Sequence, residues 1–319
     1  MVLDAETVSK SFGPVRVLDG MDLRVAAGQV VALLGRNGAG KSTFISIVAG
    51  LLRPDGGRVR VCGTDIARHA RRARANLGIA PQDLGLYLTL TPEENLDLMA
   101  RLARVPGRDR PARVRDVAER LALTDFLRRP CRTLSGGQQR RVHTAMALMG
   151  GRALILLDEP TVGADVQSRN AITDTVRELA AAGSAILYTT HYLHEVEALD
   201  ADVVIMNRGR ITAAGTCADL LNAHGDTGLE IRFDGPPPSL PLDPQESATL
   251  VTPNTVHVAT RDPSGTMERL LPDLTARSGS LAQVQIVRPT LEAVFLSLTE
   301  PAGPGTAAAE SPASREVSV

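Results

Sequence analysis

An α/β fold carrying a helical insertion, followed by a small α+β domain, is predicted by three features of this 319-residue sequence. Three short runs, QVVALLG at 29–35, ALILLDEP at 153–160 and SAILYTTH at 184–191, are aliphatic without a helical period and read as strands buried on both faces. Between the first two lies a long arginine-rich stretch with helical spacing. After residue 224 the charge balance inverts: residues 1–224 carry 29 Lys+Arg against 24 Asp+Glu, and residues 225–319 carry 6 against 12. Two differently charged parts are therefore expected.

Each element follows from its own residues. The first strand ends in Gly35, and KSTFISIVAGLL after it places Phe44, Ile45, Ile47, Val48 and Leu51 at helical positions, with a glycine-rich turn between. TPEENLDLMARLARV has Thr91 to cap a helix, Pro92 at its first position and Glu94 to close a capping box, with Leu96, Met99, Leu102 and Ala103 on one face. Residues 112–127 read as a further amphipathic helix. TLSGGQQRR opens another, with apolar positions at Val142, Ala145 and Met146. These helices form a subdomain over about residues 84–150. The 16 Arg against 8 Asp+Glu over 68–141 read as solvated helix faces. VVIMNRGRITAAG at 203–215 reads as a hairpin closing a first domain of residues 1–223. In 224–300, GLEIRF, TVHVAT and AQVQIV are strand-like, TMERLLPDL and TLEAVFLSL are helical, and DGPPPSLPLDPQES is a proline-rich excursion. Residues 301–319 are low in complexity and expected to be disordered.

The bulk numbers exclude several classes. A net charge of -1 argues against a general nucleic-acid binder. Cys62, Cys131 and Cys217 form no C-x-x-C pair, so neither a disulfide framework nor a zinc site is suggested, and a reducing cytosol fits. No apolar run approaches the roughly 20 residues of a membrane helix, and the N-terminus lacks a signal-peptide core. Any membrane role is expected to pass through a partner.

The chemistry concentrates in three stretches. GRNGAGKS, Gly35, Arg36, Asn37, Gly38, Ala39, Gly40, Lys41 and Ser42, fits G-x-x-x-x-G-K-[ST] between a strand and a helix, with Thr43 next. Glycines let the backbone wrap a phosphate chain, Lys41 would bridge the outer phosphates, and the Ser42 hydroxyl would take Mg²⁺. Only Lys10 and Lys41 are lysine among 35 basic residues, so a compact ammonium stands at 41 in a chain that otherwise uses arginine. Asp158 and Glu159 end an apolar strand, where unpaired charge is costly. Beside the phosphate loop, Asp158 suits the magnesium shell and Glu159 suits a base for water, which implies hydrolysis. Ser135, Gly136 and Gly137 open a helix, a ready anion site in its own right.

GRNGAGKS, TLSGGQQRR, LILLDEPTVGAD and TTH, in that order, resemble the ATP-binding subunits of ABC transporters, over residues 1 to about 220. The resemblance implies a P-loop ABC ATPase fold, ATP and Mg²⁺ as cofactors, and a homodimer closed head to tail. Ser135, Gly136, Gly137 and Gln138 of one copy would then hold the γ-phosphate of the ATP on the other copy's loop. It also implies that Phe12 stacks on adenine, that Gln82 links the Mg²⁺ and water site to the membrane partner, that His191 contacts the γ-phosphate, and that Asp165 lies in the turn after the carboxylates. His194 reads as an ordinary helix residue. VGAD departs from the family in having Ala164 where leucine is usual, which changes packing at the dimer seam. The stretch from His191 to Thr216 and the terminal RPTLEAVFLSLT look like the multidrug and antibiotic export branch, daunorubicin-resistance-like. That implies a separate transmembrane permease, a peripheral place on the cytoplasmic face of the membrane and a drug-like or lipid-like substrate. An importer subunit, or a soluble ABC protein acting on DNA or the ribosome, are the alternatives. Against the latter, no sustained heptads occur between Gln82 and Ser135 and the chain has one GKS and one LSGG; no nucleic acid is expected.

Overall fold

Gly13, at φ 58°, turns β1 (Leu3–Phe12) back into β2 (Val15–Val25), so that Phe12 pairs with Val15 at the hairpin end. In this computed structural model, which describes residues 1–225, 227–260, 262–277, 281–287 and 290–299, β3 (Val30–Gly35) follows, buried along its whole length, and leads through the glycine loop into α1 (Lys41–Val48). Next come β4 (Gly56–Val61), β5 (Thr64–Asp65), α2 (Ala70–Arg74) and β6 (Leu77–Ala80). The insertion supplies α3 (Pro92–Leu102), α4 (Arg110–Arg120) and α5 (Gly136–Leu148). The chain then returns through β7 (Leu154–Asp158), α6 (Val166–Ala181), β8 (Ala185–Thr189), α7 (Leu193–Leu199) and the hairpin β9 (Asp202–Asn207) and β10 (Arg210–Gly215).

Two sheets enclose α1. One has the order β10-β9-β3-β8-β7-β6 and is parallel except for β10; the other, β2-β1-β4-β5, is antiparallel. Alternate residues of the parallel sheet, Val31 and Leu33, Leu154 and Leu156, Ala185 and Leu187, meet Phe44, Ile45, Ile47 and Val48 of α1 and the inner face of the antiparallel sheet in one core. Each such side chain contributes about 2 kcal/mol by burial, before entropy is counted. The parallel register pairs Thr189 with both Leu33 and Asp158, so the loops after β3, β7 and β8 leave the carboxyl edge of the sheet side by side. Ligand sites in such sheets form at that edge.

The sequence reading needs correction at several points. The antiparallel sheet was not anticipated, because β1 is broken by register shifts and by Thr7 at φ 46°, which erase any clean alternation. The helix expected over 112–127 stops at Arg120. Ala122 turns left-handed at φ 48°, a short 3₁₀ turn covers Thr124–Phe126, and Arg141 Nη1 takes the carbonyls of Leu121 and Ala122. Arg141 is thus buried, with its guanidinium 5.1 Å over the Phe126 ring, rather than on a solvated face.

The chain divides into two compact units, one of Met1–Cys217 with Leu298 and Thr299, the other of Ala218–Ser297. Helix α8 (Cys217–His224) begins at that division. The second unit holds the antiparallel sheet β12-β13-β11-β14, made of β11 (Gly228–Phe233), β12 (Ser247–Thr252), β13 (Thr255–Ala259) and β14 (Leu281–Val287). Helix α9 (Pro263–Arg277) lies between β13 and β14, and α10 (Leu291–Thr299) follows. Leu229, Ile231, Phe233, Val256, Val258, Leu270 and Leu274 form its core. β12 escaped notice because all six residues are exposed, and α9 extends the expected TMERLLPDL helix at both ends, from Pro263 to Arg277. The expected disorder of 301–319 lies outside the described residues.

Candidate active site

The phosphate loop is shaped by its glycines and closed by its lysine. Gly40 sits at φ 107°, and a Cβ there would stand 2.8 Å from both Leu18 Cδ2 and the Val17 carbonyl, so no other residue fits. Arg36, Asn37 and Gly38 are exposed at the tip, Ala39 and Gly40 are buried, the Ser42 residue is exposed and Thr43 half-buried. α1 has no side-chain N-cap and no acidic residue in its first turn, which leaves its leading N–H groups for an anion. Lys41 is only 6% exposed, and its Nζ donates to the Gly35 carbonyl at 2.6 Å and the Arg36 carbonyl at 3.4 Å. Burial pulls its pKa down, and the charges of Glu159 and Asp158 oppose that shift. A half-desolvated ammonium lying on two carbonyls in a turn of open N–H groups fits a phosphate chain.

The carboxylates hang from the neighbouring strand. Asp158 is buried and accepts the Thr189 hydroxyl at 2.6 Å; the same hydroxyl oxygen accepts the Glu159 N–H at 2.9 Å, and the Thr189 carbonyl accepts it at 3.1 Å. Glu159 adopts φ 50°, a left-handed conformation costing about 1 kcal/mol or more for a non-glycine residue, which aims its side chain off the strand end. Gln82 Nε2 donates to Glu159 Oε2 at 3.3 Å, and His191 Nδ1 lies 3.5 Å from Oε1. The Gln82 carbonyl is in turn held by Arg140 Nη1 of α5 at 2.6 Å. Burial lowers the Arg140 pKa against the pull of Glu159 and Asp83. Gln82, Asp158, Glu159 and His191 are therefore brought together, with Lys41 inside their electrostatic reach.

Among the described residues no group of three or more His, Cys, Asp or Glu is placed to hold a metal ion. One buried carboxylate, Asp158, and one exposed hydroxyl residue, Ser42, still fit Mg²⁺, which keeps several waters and takes most of its protein-side charge from one or two carboxylates and substrate phosphates.

The LSGGQ turn is built elsewhere. Ser135 Oγ accepts the Gln138 N–H at 3.2 Å, and Gln138 Oε1 accepts the Ser135 N–H at 3.0 Å, a reciprocal capping box. A Cβ on Gly137 would lie 2.9 Å from Ser168 Oγ and 3.3 Å from Asp165 Oδ2, whereas one on Gly136 would meet open space. Asp165 caps α6 by accepting the Ser168 N–H at 2.7 Å, and that bond holds its carboxyl below the ordinary range. Asp165 thus keeps company with Gly137, and none of these contacts involves residues 35–43. Phe12 is 50% exposed at the β1–β2 hairpin, with the Lys10 ammonium 5.6 Å from its ring centre. Ala164 closes the turn after Glu159 through its N–H on the Thr161 carbonyl. His194 is exposed on α7, as an ordinary helix residue would be. Thr189 and Arg140 were missed by the sequence reading; a hydroxyl inside the aliphatic run AILYTTH was the signal for the first, and nothing local marked the second.

A profile described as ABC transporter matches residues 18–162. The chain is 35% identical over 306 residues to the linearmycin resistance ATP-binding protein LnrL of Bacillus subtilis (strain 168), covering 93% of this chain and 98% of that protein. The chain belongs to the ABC transporter family. This ABC ATPase is also 34% identical over 312 residues to the daunorubicin resistance ATP-binding protein DrrA2 of Streptomyces coeruleorubidus, over 92% of this chain and 94% of that one. Among solved structures, an ATP-binding subunit of an ABC transporter superposes with a TM-score of 0.65 at 30% identity, covering 70% of this chain and 92% of the other. The resemblance drawn from the motifs is borne out, and with it an α/β ABC ATPase fold, ATP binding and ATP hydrolysis.

Proposed function

We propose that this ABC ATPase powers efflux of a drug-like or lipid-like molecule through a separate transmembrane permease. It works as a head-to-tail homodimer in which each ATP lies between the Lys41 loop of one copy and the Ser135–Gln138 turn of the other. The observation that carries this reading is the split within one chain. Lys41, Gln82, Asp158, Glu159 and His191 cluster, while the second anion-binding helix start stands exposed against Asp165 with its contacts elsewhere.

In the working site, the backbone N–H groups of residues 36–43 would cradle the phosphates, and Lys41 would exchange the Gly35 and Arg36 carbonyls for phosphate oxygens. Ser42 and Asp158, with Gln82, would hold Mg²⁺, which would supply charge neutralisation on the phosphates. Glu159 orients the attacking water and takes its proton. His191 donates toward the γ-phosphate, and Phe12 stacks on the adenine. Ser135, Gly136, Gly137 and Gln138 of the partner copy close over the γ-phosphate from the other side, and Asp165 lies at that seam.

No helix among the described residues is long and apolar enough to cross a membrane. The permease would dock next to Gln82, where Leu84, Tyr87 and Leu88 are exposed while buried Asn95 pins the Tyr87 backbone through its N–H (3.0 Å) and carbonyl (3.1 Å). The chain would then sit on the cytoplasmic face of the membrane. The names of the relatives, resistance proteins for linearmycin and daunorubicin, support export of such molecules. We read residues 1–223 as the ATP-binding domain, with the helical subdomain at about 84–150, and 224–300 as a small α+β domain.

A mixing experiment tests the shared pocket. Lys41→Ala disables the loop, and Gly136→Asp puts a carboxylate where phosphate should bind without a steric clash. Each variant alone should be inactive. A mixture should regain phosphate release, because a heterodimer contains one site with both defects and one with neither. A mixture as inactive as its parts would mean that the pocket is complete within one chain.

A further inference from the structure

Behind the His191 segment, α7 buries a carboxylate that the hydrolysis scheme leaves unused. Glu195 is 1% exposed. Its Oε1 accepts the Thr161 hydroxyl at 2.6 Å and lies 3.4 Å from Arg169 Nε; its Oε2 accepts the Tyr188 hydroxyl at 3.0 Å and the Thr190 hydroxyl at 2.8 Å. Thr161 belongs to the turn after Glu159, Arg169 to the start of α6, Tyr188 to β8, and Thr190 immediately precedes His191. The Thr190 hydroxyl also accepts the Tyr192 N–H at 3.0 Å, and the Arg169 guanidinium lies 5.5 Å from the centre of the Tyr192 ring. Burial and the nearby Glu195 push the Tyr188 phenol well up, so it stays a donor. Packing alone would be served as well by an apolar side chain, since a buried charge must recover its desolvation through its partners. What the carboxylate adds is direction: two oxygens fix four groups from separate elements in one geometry.

Two of those elements carry the reacting groups. Glu159 and His191 leave the ends of adjacent strands, 3.5 Å apart, on segments that Thr189 ties together on the sheet side. We propose that Glu195 is a positioning residue for ATP hydrolysis, tying the His191 segment to the turn that follows Glu159 so that the two keep one spacing. This rests on the reading that Glu159 and His191 flank the γ-phosphate.

The test uses the full chain, with ATP turnover and calorimetric ATP affinity measured for Glu195→Ala and Glu195→Gln. Glu195→Ala should lower kcat by about 10²-fold, the scale of an ångström's misplacement of a reacting group, while ATP affinity stays within about twofold. Glu195→Gln keeps one acceptor oxygen and should fall between. In a His191→Ala background, Glu195→Ala should add less than about threefold, because both act through one group. A folded Glu195→Ala chain with wild-type kcat, or losses that multiply with His191→Ala, overturns the proposal. Should Glu195→Ala fail to fold, Thr161→Val and Thr190→Val decide: each removes one donor and should lower kcat several-fold at unchanged affinity, and wild-type kcat in both overturns the proposal. Full turnover in His191→Ala and Glu159→Gln would bring down the site reading and this inference together; loss there with independent Glu195 effects brings down this inference alone.

Discussion

Two helix starts in the same unit, those of α1 and α5, share a glycine-rich turn and an acid-free first turn, and they differ in almost everything else. The α1 start has no side-chain cap, buries an ammonium and feels two carboxylates. The α5 start is capped by its own serine and glutamine, and the guanidinium groups of Arg140 and Arg141, further along the helix, donate to the backbone carbonyls of Gln82, Leu121 and Ala122. On the function proposed above, the first reacts and the second grips. A turn with N–H groups and a hydroxyl but no buried ammonium at its first helical position can recognise a phosphate without being able to cleave it. In the proposed head-to-tail dimer, that division of labour would make the placement of the second turn, on another copy, a means of control.

The comparison breaks most readily at Glu159. Glu159→Gln should lower kcat by about 10³-fold, the usual worth of a general base, while ATP still binds and the closed dimer persists on size exclusion with ATP. Wild-type phosphate release from that variant would remove the reacting half of the contrast. Lys41→Ala should weaken ATP by about 10²-fold in calorimetry, since a charge-assisted contact in a desolvated turn is lost; unchanged affinity would make the two helix starts equivalent. Phe12 is reached by neither helix start. Phe12→Ala should cost about tenfold in ATP affinity through lost stacking, with kcat kept.

How much of this was legible in the sequence follows from how local the physics is. The phosphate loop was legible because strand, glycines, Lys41 and helix are consecutive, and Gly40 needs its φ 107° whatever the rest of the chain does. Asp158 and Glu159 were legible as charges ending an aliphatic run. Gln82 and His191 came from family resemblance alone, and only the parallel register brings them to Glu159. Thr189, Arg140 and Glu195 stayed hidden because their roles depend on partners tens of residues away, such as Arg140 on Gln82, 58 residues earlier. The early end of α4 had the same cause, since Arg141 reaches back 20 residues to the Leu121 carbonyl. The antiparallel sheet failed for the opposite reason: its strands carry local irregularities that mask a simple long-range pairing.

The smallest effect concerns what holds α5. His143 is 4% exposed on α5, its Nδ1 lacks a hydrogen-bond partner, and Gly85 of the segment after Gln82 lies against its ring. Burial, and secondarily the charge of Arg140, push its pKa from 6.5 down to about 4. A base with a lowered folded-state pKa stays neutral when folded, so the unfolded chain binds the extra proton. Its contribution is present above about pH 6.5 and is lost as pH falls toward 4. At pH 5.5 the loss should be about 1 kcal/mol. Urea unfolding of the wild type against His143→Leu, at pH 7 and 5.5, should show that extra loss only in the wild type. Hydrogen exchange should place it in α5 while α1 keeps its protection. Equal pH dependence in both chains would show that the buried imidazole takes up its proton as readily in the folded chain as in the unfolded one, and equal loosening of α1 would remove the distinction between the two helix starts in acid.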